Sequence, residues 1–265
     1  MKKKSDIKFS VITPVHIWSE DRREWLFRAI KSLKNQTYQN YEHIIINDGS
    51  TLDVEIPSDD HTVVINQVHE ERVIAFSSGF ALARGDWFVI LDSDDEFDPQ
   101  YLEKCVSFIK KYPKYKMFNF GCKYIHKDGG TALRDAFLLP KKKVGHEIFG
   151  GGNIVSGTFI WHRSIYDDIG AFPQSHITNI DTTDINYGGV RDLYMGSPYD
   201  FSAYAQLEFP EIRKYYMVKH PDHPKHLVKE LGNPWGQDYY LFYKYTRKYH
   251  SKPILGEYLY WVHPR

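Results

Sequence analysis

Four short runs, FSVIT (9–13), HIIIN (43–47), TVVIN (62–66) and WFVIL (87–91), are apolar almost from end to end and rich in β-branched residues. A strand wetted on one face alternates polar and apolar side chains, so continuous apolar runs belong to strands covered on both faces. The segments between them carry helical spacing instead. In SEDRREWLFRAIKSLKNQ the residues Trp25, Leu26, Ala29, Ile30 and Leu33 form one stripe, with acids in the first turn and lysines in the last, the polarity a helix dipole favours. Residues 72–84 read as a second helix. DPQYLEKCVSFIKKYP reads as a third, with Asp98 as N-cap, Pro99 at the first helical position and a stripe of Leu102, Cys105, Val106 and Ile109. Such alternation predicts an α/β, Rossmann-like fold with a mostly parallel central sheet and helices on both faces. Pro14 is expected to end the first strand.

Beyond residue 115 the character shifts toward aromatics and glycine, and KMFNFGCKYIHKDGGTAL reads as two strands about a KDGG turn. The expected organisation is a first half, 1–115, and a smaller mixed or antiparallel half, 116–265, packed as one continuous domain.

In a parallel sheet every strand C-terminus emerges on one edge, where ligands bind. TPVH, NDGS and DSDDE, which follow the first, second and fourth runs, therefore converge. The last of these belongs to a crowded corner: Asp92, Asp94, Asp95, Glu96 and Asp98 fall within seven residues. Like charges so placed raise one another's free energy unless a cation or hydrogen bonds offset it. Asp98 has a capping role and Glu96 reads as a solvated neighbour. Asp92, Asp94 and Asp95 form a set of hard oxygen donors suited to Mg²⁺ or Mn²⁺, which bind substrate phosphates in their remaining positions.

Other classes are excluded by composition and pattern. Lys plus Arg and Asp plus Glu both number 34, so no global field attracts nucleic acid or an anionic membrane. Two cysteines, Cys105 and Cys122, read as buried thiols in a reducing compartment. The opening MKKKSDIKFSVITPV lacks the apolar core of a signal peptide, and no window approaches the roughly 20 apolar residues of a membrane span; the expected location is cytoplasmic. GGGNIVSGT (150–158) lacks the lysine of a phosphate loop, and no Gly-x-Gly-x-x-Gly follows the first strand. Prolines between His220, His223 and His226 bar the helix that would align them on zinc. Twenty Tyr and sixteen Phe point to a surface that meets flat, amphipathic matter such as sugar rings or a bilayer interface.

FSVITPVH, RAIKSLKNQTYQNYEHIIINDGST and ALARGDWFVILDSDDEFDPQYL, taken in order, resemble the successive motifs of family 2 glycosyltransferases, which are inverting, nucleotide-sugar-dependent enzymes of the GT-A fold. The resemblance runs continuously over residues 8–110 and more weakly through NIVSGTFIWHRSIYDDIGAFP (153–173). It implies that 1–115 binds the nucleotide sugar and 116–265 the acceptor. Thr13, Pro14 and Val15 would line the base and ribose pocket, Asp48 would contact the nucleoside at its uracil, and Arg72 would approach the diphosphate. Asp92 and Asp94 would hold ribose and metal, with Ser93 between them in the donor site, and Asp94 or Asp95 would be the direct metal ligand. Asn47 stands where the family usually has Asp, and an amide can still donate and accept hydrogen bonds.

The family's catalytic base sits in an acidic pair before a helix in the second half. The matching segment is WGQDYYLFYKYTRKYHSKPILGEYLYWVHPR, which makes Asp238 the expected base, behind Gln237 and ahead of a stripe of Leu241, Phe242, Tyr245 and Tyr249. Asp200 and then Asp192 stand in reserve. His263 occupies the place of a late histidine that completes the metal or diphosphate shell. The implied activity is metal-dependent transfer of a hexose or N-acetylhexosamine from a nucleoside diphosphate sugar, with UDP as carrier, to a glycan or lipid-linked acceptor of a cell-surface polysaccharide. The aromatic and basic tail allows peripheral contact with the inner membrane face. A nucleotide-sugar-binding relative without turnover is the alternative. A sugar nucleotidyltransferase is a weaker one, because TPVHIWSEDRR has no glycine-rich loop.

Overall fold

A computed structural model describes residues 7–69, 72–136, 155–170 and 237–264. The chain divides into two compact units: Met1–Leu138 with Val155–Phe172 and Arg247–Arg265, and Leu139–Ile154 with Pro173–Thr246. The shift in composition near residue 115 does not coincide with this division, because the strands that follow it join the sheet of the first unit.

That unit opens with β1 (Phe9–Val15), α1 (Glu20–Lys34), β2 (Tyr41–Asp48), β3 (Thr62–Gln67), α2 (Arg72–Leu82) and β4 (Trp87–Ile90). After these come β5 (Glu96–Phe97), α3 (Tyr101–Lys111), β6 (Met117–Ile125), β7 (Thr131–Arg134), β8 (Phe159–His162) and α4 (Arg163–Ile169). The helix α5 (Gln237–Lys248) begins in the second unit, and β9 (Lys252–Val262) returns to the first. The described strands form one sheet in the order β3-β2-β1-β4-β8-β6-β9-β5, with β7 on β6. β1 pairs in parallel with β2 and β4, and β2 with β3. β8 runs antiparallel to both β4 and β6, while β9 is parallel to β6. The order changes direction at β1, with β2 and β3 on one flank and β4 on the other. The crevice beyond the C-termini of β1 and β4 is therefore a topological switch point, the ligand position of open α/β sheets.

Local choices agree with this plan. Ser19 caps α1, its hydroxyl accepting from the Arg22 amide at 3.4 Å; Glu20 and Asp21 occupy the first turn, Lys31 and Lys34 the last. Leu26, Ala29, Ile30 and Leu33 are buried, as their spacing predicts. Leu241, Phe242 and Tyr245 of α5 are buried too. Both thiols are buried, and burial pushes the Cys105 thiol far above its usual range.

Two expectations need correction. β1 does not stop at Pro14 but runs to Val15, with Pro14 opposite Ile46. β4 pairs with β1 only from Phe9 to Ile12, so beyond that point β1 has one open flank and a residue without an N–H is tolerated. α3 starts at Tyr101, two residues after Pro99. Asp98 acts one turn early: its carboxylate takes the Gln100 amide at 2.9 Å and its carbonyl takes the Tyr101 amide at 2.9 Å.

Candidate functional site

The loops after β1, β2 and β4 share the C-terminal edge of the sheet. Asp48 ends β2, and its carboxylate is buried and held on both sides. Gln67 at the end of β3 donates to Oδ1 at 2.7 Å, and His69 Nδ1 lies 2.8 Å from Oδ2. The Asp48 carbonyl receives His16 Nδ1 at 2.8 Å, and the two imidazole rings lie 4.3 Å apart. Gly49 makes the turn possible. Its φ is +63°, and a Cβ there would come within 2.6 Å of the His69 amide nitrogen. Asn47 accepts from the Ser50 amide at 3.3 Å and from the Ser50 hydroxyl, and donates to Asn66 at 2.8 Å. The Asn47 amide thus serves as the staple of this turn.

Past β4 the chain folds sharply, with the Asp95 amide donating to the Asp92 carbonyl at 3.1 Å. Asp92, Asp94 and Asp95 are all buried, and Ser93 is half-buried. Asp92 accepts from the Arg72 guanidinium at the start of α2 and from the Ser156 hydroxyl, while Tyr260 of β9 lies 3.4 Å from its Oδ2. Asp95 Oδ1 takes the His263 amide at 3.0 Å. Burial, reinforced by the charges of Asp92 and Asp94, pushes the Asp95 carboxyl up to about 8, against the opposing pull of the His263 amide and the Tyr260 hydroxyl. A divalent cation would relieve that accumulation.

Glu96 takes part as well, although its sequence context marks it as an ordinary solvated acid. It bonds His263 Nε2 at 3.0 Å and lies 3.7 Å from Arg28 Nε, while Arg28 also donates to the Asp94 carbonyl at 2.7 Å. Helix α1 and the end of β9 thereby clamp the acidic turn from two directions.

The remaining expected residues fall as follows. Thr13 is fully buried, and its hydroxyl meets His43 Nε2 at 2.9 Å, so it faces the interior of the sheet. Pro14 and Val15 complete β1, and Val15 is buried. Asp238 is the second residue of α5, and its side chain lies outside the described residues. Asp192, Asp200, His220, His223, His226 and Gly150–Asn153 also lie outside them. Ser156, Tyr260, Gln67 and His69 were not expected. Polar residues inside apolar stretches, as in IVSGTF and YLYWV, are the trace that Ser156 and Tyr260 leave in the sequence, while Gln67 and His69 sit in an already polar stretch and leave none.

Among the described residues no three His, Cys, Asp or Glu side chains form a ready cage for a metal ion. The donor set nonetheless fits Mg²⁺ or Mn²⁺, which take one or two carboxylates and leave other positions to water and phosphate. Asp94 and Asp95 would hold it. The Asp92 carboxylate is already engaged by Arg72 and Ser156.

A model of the family described as "Glycosyl transferase family 2" matches residues 10–170. The chain belongs to that family. A protein named an uncharacterized glycosyltransferase from Rickettsia bellii is 34% identical over 40% of this chain and 16% of its own length. A glycosyltransferase named GlyA from Streptococcus pneumoniae is 30% identical over 40% of this chain, again 16% of its own length. A further relative from Haemophilus influenzae, also named an uncharacterized glycosyltransferase, is 30% identical over 44% of this chain, which matches 42% of that protein. The chain thus matches less than half of each of these relatives. Among solved structures, residues 1–349 of S. aureus TarS superpose with a TM-score of 0.56 at 14% identity, covering 97% of this chain and 60% of that one. That likeness establishes the GT-A type of fold. Among the described residues no helix is long and apolar enough to cross a membrane.

Proposed function

We propose that this chain is an inverting, metal-dependent glycosyltransferase that moves a hexose or N-acetylhexosamine from a UDP-sugar to a hydroxyl of a cell-surface glycan or glycolipid. The observation that carries the reading is the buried Asp92–Asp95 turn at the mouth of the parallel sheet, where Asp92, Asp94 and Asp95 are enclosed together. Asp94 and Asp95 would provide the oxygen ligands for Mg²⁺ or Mn²⁺, which when bound would neutralise the charge of the diphosphate, and His263 anchors the Asp95 carboxylate through its amide. Asp48, fixed by Gln67 and His69, orients the nucleoside. Arg72 holds Asp92, which faces the ribose. Asp238, at the start of α5, takes the proton of the acceptor hydroxyl as that oxygen attacks the anomeric carbon, so the step is a single displacement.

Turnover of a panel of UDP-sugars, followed as UDP release with Mn²⁺ and with a chelator, tests the reading. Metal-dependent release supports it, and tight UDP binding without release from any donor favours the relative that binds without turning over. That second reading draws on Gln237, which precedes Asp238 where the family's acidic pair carries Glu.

A further inference from the structure

The chain carries as many acids as bases, yet it sorts them. Residues 104–127 contain seven lysines and neither Asp nor Glu, and residues 239–256 contain Lys244, Arg247, Lys248 and Lys252 with no acid. These stretches are far apart in sequence, but the fold sets the part of the second from residue 247 onward beside the first, since β6 and β9 pair with Phe118 opposite Lys252.

The junction is a patch of lysines around three half-buried tyrosines. Lys111 Nζ lies 5.4 Å from the Tyr112 ring centroid and Lys252 Nζ 5.2 Å from it. Lys114 lies 5.3 Å from the Tyr115 ring and Lys116 5.7 Å from that of Tyr249. The rings of Tyr112 and Tyr115 meet edge to face at 6.5 Å. Lys110, Lys111, Lys114 and Lys116 are exposed, and with Lys252 they make no ion pair to a described residue. Asp168 marks the rim, bound by Lys248 at 2.7 Å and by the Tyr249 hydroxyl at 2.7 Å. Glu257, the acid after the second stretch, is taken by Lys104 at 2.7 Å.

We propose that this patch is a docking surface for an anionic lipid membrane. Lysines on long stems around amphipathic tyrosine rings suit a headgroup layer, where the ammonium groups meet phosphate and the rings enter the interface. Concentrating positive charge on one face of a chain with no net charge favours one orientation on such a surface, which a uniformly basic protein would lack. That orientation is set by the sheet. Met117 pairs with Trp161, which pairs with Phe88. The patch therefore lies about 13 Å behind Asp92 at roughly 3.3 Å per residue, at the opposite strand ends. Seated on a bilayer by this patch, the first unit keeps the acidic turn on the side away from the lipid.

Co-sedimentation with vesicles of phosphatidylcholine alone, and with about 30% phosphatidylglycerol added, tests this. The expected result is at least tenfold stronger partitioning to the anionic vesicles, abolished at roughly 0.5 M salt. Reversing four charges in K110E/K111E/K114E/K116E should lower partitioning by about 100-fold or more and leave the thermal unfolding midpoint unchanged. Should that variant fold poorly, K110Q/K111Q should still give a loss of at least about fivefold. Equal binding to both vesicle types, no binding to either, or undiminished binding by the folded variants overturns the proposal. So does retention on heparin or DNA at a salt concentration where anionic vesicles are ignored, which would assign the patch to a soluble polyanion.

Discussion

The Tyr260 hydroxyl accepts the Asp92 amide at 3.0 Å and reaches Asp92 Oδ2 at 3.4 Å, joining a residue of the last strand to the first acid of the turn. Burial and the neighbouring carboxylates push this phenol far above its usual range, so it stays protonated and keeps its donor. Tyr260→Phe keeps the ring but leaves the buried Asp92 amide without an acceptor. We expect a stability loss of about 1–3 kcal/mol in urea unfolding, together with weaker UDP binding by calorimetry because the Asp92 carboxylate loses a fixed partner. Unchanged UDP affinity would show that the turn holds its shape without Tyr260.

The same ring limits what the chain can place at residue 157. A Cβ on Gly157 would fall 1.7 Å from a Tyr260 ring carbon, and the Gly157 carbonyl is held by the Tyr101 hydroxyl at 2.8 Å. Neither the buried ring nor the backbone can yield, so Gly157→Ala should cost about 1–3 kcal/mol through overpacking. Because Ser156 is bonded to Asp92, the shift should also weaken donor binding. Adding Tyr260→Phe should rescue neither effect, since the clash is with the ring rather than the hydroxyl.

These contacts mark the limit of what the sequence discloses. β1, β2, β4 and the three converging turns are legible because a strand buried on both faces leaves a run of Val, Ile and Phe, whereas TVVIN misleads in part, since β3 is the edge strand of the sheet and Val63 is exposed. Asp48 and Asp92–Asp95 follow from them, since the ends of parallel strands share one edge. Pro14 misleads because its effect depends on how far β4 extends beside β1, which is a property of the assembled sheet. Tyr260 and Ser156 are invisible for a related reason. A hydroxyl inside an apolar stretch shows that some partner exists but not which, and here that partner lies 168 residues away for Tyr260 and 64 for Ser156. Glu96 reads as solvated until β9 brings His263 against it.

His43 gives the fold a pH dependence whose direction is fixed. Its ring is fully enclosed in β2, and burial holds its pKa down at about 3, with the Asp59 charge opposing that shift and the Lys34 charge adding to it. The unfolded chain takes a proton at this residue below pH 6.5, whereas the folded chain does not until about 3. The stabilising effect is therefore complete above pH 6.5 and is lost as the pH falls toward 3. At pH 5.5 the loss from this group is on the order of 1 kcal/mol. His43→Gln removes the titration and keeps a partner for Thr13. Urea midpoints measured from pH 7.5 to 5 should fall less steeply in the variant, and parallel curves would remove His43 as the cause.

Asp238 carries the chemical step proposed above, and its substitution should separate chemistry from binding. It sits in the first turn of α5. Asp238→Asn removes the proton acceptor and leaves every donor contact in place, so kcat should fall by about 10²–10⁴ with little change in the KM for the UDP-sugar. Asp48→Asn should do the reverse. It weakens the carboxylate that Gln67 and His69 orient, raising the KM for the donor and leaving kcat near its original value. The Asp238→Asn loss should also flatten the acidic limb of the kcat–pH profile, which a structural substitution at the start of a helix would not do. If Asp238→Asn keeps full kcat, the base lies elsewhere, and Asp200 and Asp192 are the next carboxylates to replace.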